Sequence, residues 1–263
     1  MFKKVILFLF LIMLICTGCG KNNSEDKVST LDTIVKRGSV NIGVKTDIYP
    51  FGYIDKNGKN AGYDIDIAKE IGKGIFGEYG KVKFIPVTSS NRMMKLYSEE
   101  ADMLIATMSV TSARTQILEF SDTYYMAGQS ILVKNGSKIK SLRDLSGKKV
   151  IIVFGSTSER SLRGAVPNVG IIGYKTYDEA YKALKVGKAD AIVSDDTILL
   201  GFALKDNSVK LLPKKYTKEP YAVAFRKGSE SDELVKIVNQ VIGNMRHDGT
   251  LRKLQKDYKI KKY

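Results

Sequence analysis

A group of hydroxyl residues followed by an arginine occupies the run TMSVTSAR at positions 107–114. Thr107, Ser109 and Arg114 could together hold a carboxylate, because hydroxyls donate single hydrogen bonds and a guanidinium donates two parallel ones. The plain alternative is that Thr111 or Ser112 caps a helix and that the arginine lies at the surface. This run alone leaves open the choice between an anion site and a helix start.

A second polar run, GSTSE, occupies positions 155–159. Gly155 allows a close approach of the backbone, and the spacing of Ser156 and Glu159 is typical of a capping box. The free N–H groups at such a helix start attract an anion. Capping without any ligand explains this run equally well.

A third run, ADAIVSDD at positions 189–196, brings two acids to the end of an apolar segment. Asp195 could neutralise an ammonium group there, and a solvated capping role is the alternative. Together the three runs offer Arg114, hydroxyls and a helix start to one carboxylate, and Asp195 to one amine. This is the charge pattern of an α-amino-acid zwitterion, and none of the capping alternatives predicts the combination.

The three runs follow short segments rich in Val and Ile, which alternate with segments of helical period. This alternation predicts an α/β fold with a mainly parallel sheet. Strands are predicted at Asp102–Ala106 and Lys149–Phe154, directly before the first two runs, at Ala189–Val193 within the third run, and at Tyr221–Phe225. Ligands bind beyond the carboxyl ends of the strands in such sheets, so the polar runs should meet in one crevice.

The composition is that of a folded domain: 263 residues, 43% hydrophobic and 27% charged. This balance excludes a disordered, collagen-like or coiled-coil chain. Lys and Arg number 43 against 28 Asp and Glu, which leaves a net charge of +15. No basic run is interleaved with aromatic residues, so nucleic acid is not expected as a partner. A basic face against an anionic cell envelope and a merely solvated face explain the excess equally well.

Residues 1–18 are predicted to form a lipoprotein signal peptide. Lys3 and Lys4 precede an uncharged apolar run of 12 residues, within the roughly 7–15 of a secretory signal. The run CTGC that follows resembles the lipobox of bacterial lipoproteins, in which Cys19 would become the lipidated first residue, although Cys16 stands where leucine is usual. An ordinary cleaved signal is the alternative. Residues 19–37 are predicted to be a flexible tether, with the protein extracytoplasmic and lipid-anchored to the cell membrane.

Several further motifs, in order along the chain, resemble the family 3 extracellular solute-binding proteins, the polar amino-acid receptors of ABC importers. They include GVKTD at 43–47, AGYDIDIA at 61–68, SLRDLSGK at 141–148 and EPY at 219–221. The resemblance covers Gly38 to Tyr258.

The resemblance implies an α/β, two-lobed, periplasmic-binding-protein-like fold (type II), with two hinge crossings and the ligand cleft between the lobes. The crossings are expected near Met126–Gly128 and Lys218–Tyr221. Lobe one would comprise residues 38–126 and 219–263, and lobe two residues 127–218.

The same resemblance implies roles for individual residues. Arg114 matches the clamp on the ligand α-carboxylate, with Ser109 beside it, and Asp195 matches the counter-ion of the ammonium. The other implied positions are a carbonyl acceptor for the ammonium at Thr107, the lobe-two carboxylate contacts at Thr157 and Ser156, an aromatic cover at Tyr63 and a polar residue of the cleft rim at Asp47.

The run IPVTSSNR at 85–92 resembles a stretch of the glutamate/aspartate binders, whose arginine, here Arg92, reaches the distal carboxylate of the ligand. Arg92 would lie in the first turn of a helix, where the dipole disfavours a cation and a bound anion would relieve the conflict. L-Glutamate or L-aspartate is therefore the expected ligand, and glutamine or another polar amino acid is the alternative. A surface arginine packed against Tyr97 or Glu100 is the reading without a ligand.

An enzyme on the same fold, such as a dehydratase, is the competing class. The sole histidine, His247, lies in the C-terminal helical region, where a solvated or capping role is expected. Lipidation of Cys19 would leave no free thiol, so the protein is predicted not to be an enzyme and to need no cofactor. Its expected partners are an amino acid, a membrane permease and the lipid bilayer, and it is expected to be a monomer.

Overall fold

The structure is a computed structural model that describes residues 29–79 and 81–260. The predicted signal peptide, Cys19 and residues 20–28 of the predicted tether lie outside these residues. The helices are α1 Thr30–Arg37, α2 Tyr63–Phe76, α3 Arg92–Tyr97, α4 Ser112–Thr115, α5 Ser158–Ala165, α6 Tyr177–Lys185, α7 Asp196–Lys205, α8 Asp232–His247 and α9 Thr250–Asp257, with short 3-10 turns at Gly77–Tyr79, Leu142–Leu145 and Ser229–Ser231. Among the described residues, none of the helices has the length and apolarity needed to span a membrane.

Short strands alternate with these helices. They are β1 Val40–Val44, β2 Asp47–Ile48, β3 Gly52–Ile54, β4 Asn60–Ala61, β5 Val82–Pro86, β6 Met103–Ile105, β7 Leu118–Phe120, β8 Tyr125–Ala127, β9 Gln129–Lys134, β10 Lys149–Val153, β11 Gly170–Tyr174, β12 Ala191–Asp195, β13 Val209–Leu211, β14 Glu219–Tyr221 and β15 Ala224–Arg226. They form two five-stranded sheets, a two-stranded sheet and a three-stranded sheet, and each large sheet is the centre of one lobe. The predicted two-lobed α/β fold is thereby confirmed.

Lobe one denotes the described residues up to 126 and from 219 onward, and its sheet has the order β5-β1-β6-β15-β7. Strand β1 lies parallel to β5 and β6, whereas β15 lies antiparallel to β6 and β7. Helix α2 packs on this sheet through Ile65, Ala68 and Ile71, all fully buried. Their spacing of three residues places them on one face of the helix.

Lobe two denotes residues 127–218, and its sheet has the order β11-β10-β12-β9-β13. Strands β10, β11 and β12 are parallel, whereas β9 is antiparallel to β12 and β13. The second polar run follows β10 directly, and the third run ends at the carboxyl end of β12. The topology therefore aims both runs at the same side of the sheet.

The chain passes between the lobes in strands β8 and β14, which pair with each other in an antiparallel ladder. These strands lie where the crossings are expected, near Met126–Gly128 and Lys218–Tyr221. The prediction of a single strand at Tyr221–Phe225 is wrong. After β14 the Ala222 N–H donates to the Met108 carbonyl oxygen at 3.1 Å, and only then does β15 join the lobe-one sheet, so the change of partner divides the strand in two.

Helix α1 corrects the last part of the predicted tether, residues 19–37. The Ser29 Oγ accepts a hydrogen bond from the Leu31 N–H, and Gly38 closes the helix in the left-handed region with φ of +69°. These are the residue types that start and end helices. Ile34 is fully buried in the core, and its burial contributes about 1.5–3 kcal/mol, so this segment belongs to lobe one.

Candidate functional site

The carboxyl ends of strands from both lobes meet at a narrow hollow between the lobes. Lobe one and lobe two contribute five residues each to its wall: Ser89, Arg92, Thr107, Ser109 and Arg114, and Ser156, Thr157, Tyr177, Asp195 and Ile198. Seven of the nine site residues predicted from the sequence are among them, and Tyr63 and Asp47 are not.

Arg114 is positioned by the short helix α4, which Thr111 caps by accepting a hydrogen bond from the Arg114 N–H at 3.2 Å. Capping and a site role are therefore compatible here, because the cap fixes the backbone that carries the guanidinium. Its Nη1 donates to the Ser109 carbonyl oxygen at 2.7 Å, and its Nη2 crosses the cleft to the Gly155 carbonyl oxygen at 2.9 Å. Burial lowers the pKa of Arg114, while the carboxylate of Asp195 opposes that shift.

Arg92 is the first residue of α3 and is only 3% exposed. Its Nη1 donates to the Ala106 carbonyl oxygen at 2.8 Å, and its Nη2 donates to the Gly155 carbonyl oxygen at 3.1 Å. Its Nε is buried and has no hydrogen-bond partner among the described residues. Both arginines therefore converge on one main-chain carbonyl of lobe two, and Arg92 keeps a donor to spare.

The alternative of a surface Arg92 is wrong. Tyr97 donates its hydroxyl to the Ile117 carbonyl oxygen, and Glu100 pairs with Lys95. Burial, followed by the neighbouring Arg114, lowers the pKa of Arg92 to about 9, which leaves the guanidinium charged at neutral pH. The guanidinium thus lies in the interior, solvated by carbonyl dipoles rather than by water.

Asp195 ends strand β12 and is 5% exposed, so the reading as a solvated capping acid is wrong. It occupies the cap position of α7, yet its side chain makes no capping hydrogen bond. Its Oδ2 accepts instead from the Tyr221 hydroxyl at 2.7 Å. Burial, followed by the nearby Glu219, raises the pKa of Asp195 to about 7. A cationic group in the hollow would therefore favour its ionised form.

The predicted capping box of Ser156 and Glu159 does not form. The Ser156 hydroxyl donates to the Val153 carbonyl oxygen at 2.6 Å, and Glu159 pairs with Arg163 in the next turn of α5. The turn at Gly155, which has φ of +78°, directs Ser156 back toward the strand. Ser156 and Thr157 nevertheless line the hollow.

Thr157 connects lobe two to the crossing strands. Its hydroxyl donates to Glu219 Oε2 at 3.1 Å and accepts from Gln129 Nε2 at 2.7 Å. Glu219 is the first residue of β14, one of the two strands that cross between the lobes. A group bound to Thr157 would therefore lie one hydrogen bond away from a crossing strand.

Tyr63 is a core residue in this structure, and not a cover for the hollow. It is fully buried, its ring packs edge-on against Phe51 at 5.5 Å and Tyr125 at 5.8 Å, and its hydroxyl donates to the Tyr124 carbonyl oxygen. The close approach of Gly62 to the Phe51 carbonyl oxygen directs the start of α2 into this aromatic cluster. The aromatic ring on the hollow is that of Tyr177 from lobe two.

Asp47 lies further out, at the cleft mouth. It lines two outer cavities together with Asp178 of lobe two. Its Oδ1 is 3.5 Å from the Nζ of Lys45. This position agrees with a rim residue and places its carboxylate outside the hollow.

Two buried charges behind the hollow have no role in the sequence-based prediction, although both stand in motifs that carried the resemblance. Lys45 is 1% exposed, and its Nζ lies 3.4 Å from Ser89 Oγ and 5.4 Å from the centre of the Tyr177 ring. Burial lowers its pKa to about 8. A lysine directly after an apolar strand is the signal that could have revealed this position.

Asp64 is the second of these charges and is fully buried. Its carboxylate accepts from the Thr107 N–H at 2.9 Å and from the Tyr124 hydroxyl at 3.1 Å. Thr107 has φ of +47°, a strained value for a β-branched residue, so Asp64 supports the backbone at the point where it faces the hollow. Burial raises the pKa of Asp64 to about 7.

Comparison with known proteins identifies relatives along most of the chain. The model of the bacterial extracellular solute-binding proteins, family 3, matches residues 40–261. The ABC transporter glutamine-binding protein GlnH of Bacillus subtilis (strain 168) is 38% identical over 265 residues, which cover 98% of this chain and 96% of that protein. A glutamine-binding protein of Geobacillus stearothermophilus is 39% identical over 216 residues, which cover 81% of this chain and 82% of that protein.

A solved structure of an ancestral arginine-binding protein bound to glutamine is 37% identical, with a TM-score of 0.79 over 86% of this chain and 99% of that one. The expected preference for glutamate or aspartate is not confirmed, because the two relatives described above are both named as glutamine-binding proteins.

Proposed function

This chain belongs to the bacterial extracellular solute-binding proteins, family 3, and from that premise we propose that it is the amino-acid receptor of an ABC importer. The family places it outside the cytoplasm. It captures an amino acid between its lobes as a monomer and delivers it to a membrane permease, with Cys19 as the lipid anchor.

One observation carries the proposal: Arg114 of lobe one and Asp195 of lobe two, which have opposite charges, line the same hollow. Arg114 takes the α-carboxylate of the ligand, and Asp195 takes its ammonium. Two of the five N–H donors of a guanidinium are bonded to carbonyl oxygens in Arg114, which leaves donors for a ligand. Each charge-assisted contact contributes about 1.5–3 kcal/mol.

L-Glutamine is the proposed ligand. The Arg92 guanidinium already donates to three main-chain carbonyl oxygens, those of Ala106, Thr107 and Gly155, so a second ligand carboxylate is not needed to compensate its charge. Its spare Nε suits the carbonyl oxygen of a side-chain amide. The names of the two curated relatives support the same choice.

L-Glutamate is the second candidate, because Arg92 and Arg114 face only one carboxylate, that of Asp195, on the wall of the hollow. An additional negative charge on the ligand would balance the hollow. Substitution of Arg92 separates the two ligands, since a carboxylate loses more than an amide when the cation is removed.

Hinge closure follows from the position of the site. A ligand held by groups of both lobes binds the closed form better than the open form and shifts the equilibrium toward closure. Strands β8 and β14 are the elements at which the chain would bend.

Titration calorimetry tests the proposal on a chain that begins at Gly20, which keeps every residue of both cores. The chain is titrated with glutamine, glutamate, aspartate and arginine. Glutamine is expected to bind most tightly, and Arg92→Gln is expected to weaken glutamate more than glutamine. If none of the four amino acids produced heat, the receptor function would be rejected; glutamate binding more tightly than glutamine would reverse the ligand assignment.

A further inference from the structure

Lobe two carries most of the net positive charge of the described chain. Residues 127–218 contain 17 Lys and Arg against eight Asp and Glu, a net charge of +9. The described residues of lobe one contain 20 against 18, a net charge of +2. The excess of cations is thus a property of one lobe and not of the whole surface.

Within lobe two, seven cations collect on the edge of the sheet that faces away from the cleft. Lys149 begins β10, and Lys134 ends β9, which runs in the opposite direction beside β12. The Nζ of Lys134 lies near Gly187, in the loop that leads to β12. The seven residues, named the basic edge, are Lys134, Lys138, Lys140, Arg143, Lys148, Lys149 and Lys188, and all are exposed.

None of these seven side chains forms an ion pair with any residue of the described chain. Two acids lie among them, and both accept main-chain hydrogen bonds: Asp144 from the N–H groups of Lys140 and Ser141, and Asp190 from that of Lys149. The edge therefore keeps a net charge of +5.

The corresponding edge of lobe one is more nearly balanced in charge. Arg37 pairs there with Asp102 and Lys95 pairs with Glu100, whereas Lys81 and Lys83 at the start of β5 are exposed and form no ion pair with the described residues. The two lobes share one architecture, so the unpaired cations of lobe two are not required by the fold.

We propose that the basic edge binds the anionic headgroups of a lipid bilayer. Exposed lysines on flexible stems, spread along one edge, match a surface of dispersed negative charge better than a single small anion. The described chain begins at Ser29, so the nine residues between it and Cys19 span at most roughly 30 Å. A bilayer that holds Cys19, as proposed above, is within reach of the protein, and a basic patch supplements a lipid anchor as a second attachment.

Vesicle flotation tests the proposal without the anchor, on the chain that begins at Gly20. The probes are phosphatidylcholine vesicles with and without phosphatidylglycerol, at about 0.1 M salt. Binding is expected only to the anionic vesicles and is expected to weaken as salt rises. Absence of binding to the anionic vesicles, or equal binding to both kinds, would overturn the proposal.

Two quadruple variants with the same change in net charge locate the contact. Lys138, Lys140, Lys148 and Lys188→Gln removes four charges of the basic edge, and Lys56, Lys59, Lys81 and Lys83→Gln removes four exposed, unpaired charges of lobe one. The first set is expected to weaken vesicle binding at least roughly tenfold, and the second only slightly. An equal loss of vesicle binding in both variants would show that the net charge of the protein alone determines binding. That result would overturn the proposal that the basic edge is the docking surface.

Glutamine binding is measured in both variants to separate this proposal from the proposed function. Unchanged calorimetry together with lost vesicle binding supports the basic edge as an independent surface. Soluble polyphosphate that binds the basic edge while anionic vesicles do not would assign the edge to a polymer and contradict the bilayer proposal.

Discussion

The two lobes share one plan of sheet and helices but contribute opposite halves of the hollow. Lobe one brings the cations Arg92 and Arg114, whereas lobe two brings acceptors, the carboxylate of Asp195 and the carbonyl oxygen of Gly155. Neither half is balanced in charge by itself. A zwitterion with its acid toward lobe one and its amine toward lobe two, as proposed above, would satisfy both halves at once.

Removal of the lobe-one cation Arg114 is expected to have the largest effect on ligand binding. Arg114→Ala deletes the proposed carboxylate contact and leaves the Gly155 carbonyl oxygen with one arginine donor. The affinity for glutamine in calorimetry is expected to fall roughly 100-fold, since a charge-assisted contact contributes about 1.5–3 kcal/mol. The matched control is Arg160→Ala, at an exposed arginine of lobe two, which is expected to bind like the parent protein. Equal affinity of the two variants for glutamine would show that Arg114 does not contact the ligand.

A side chain at Gly155 would keep the two halves apart. Its φ of +78° disfavours any other residue, and a Cβ there would stand 2.1 Å from the Ser89 carbonyl oxygen across the cleft. Gly155→Ala is expected to weaken glutamine roughly 30-fold, which corresponds to about 2 kcal/mol of strain, and to reduce closure in solution scattering with saturating ligand. Gly164→Ala, where no atom lies near the added methyl group, is the control. A Gly155→Ala protein that closes normally would contradict the close approach of the lobes.

The lobe-two carboxylate, that of Asp195, is expected to make ligand binding depend on pH. The pKa of Asp195 is about 7 because of burial, and a ligand ammonium favours the ionised form. Binding should therefore release a proton below this pKa, and the affinity should rise about tenfold from pH 6 to pH 8, as the ionised fraction rises from about one tenth to about nine tenths.

Asp195→Asn isolates this effect. The variant is expected to bind more weakly and with little dependence on pH, whereas Asp122→Asn, at an exposed acid of lobe one, should retain the parent profile. A steep profile that persists in Asp195→Asn would assign the titration to Asp64 or Lys45, whose pKa values lie at about 7 and about 8.

Much of the site was predictable, because polar runs at strand ends are local features. Thr157 follows β10 and Asp195 ends β12, and a parallel sheet brings these two strand ends to one side. Arg114 follows β6 of the other sheet and meets them only across the cleft. Tyr63 shows the limit of this reasoning. Its neighbours in sequence gave no indication whether its ring enters the core or faces the cleft, and that choice depends on packing against Phe51 and Tyr125.

The helix at residues 30–37 likewise depends on contacts that are distant in the sequence. Its signals, Ser29 before it and Gly38 after it, are present in the sequence, yet the segment adjoins a polar stretch without aromatic residues and was predicted as tether. The burial of Ile34 distinguishes a packed helix from a flexible tether, and that burial depends on the rest of lobe one.

The alternation of strands and helices and the location of the polar runs could be predicted from the amino-acid sequence, because periodicity and turn residues act over a few positions. The two-lobed plan was implied only by the resemblance to the family 3 solute-binding proteins. The tertiary structure alone decided that Arg92 and Arg114 share the Gly155 carbonyl oxygen and that Asp64 holds Thr107. These partners lie more than 40 positions apart and, for the arginines, on different lobes. Only the packing of whole sheets and the approach of one lobe to the other bring such groups within hydrogen-bond distance.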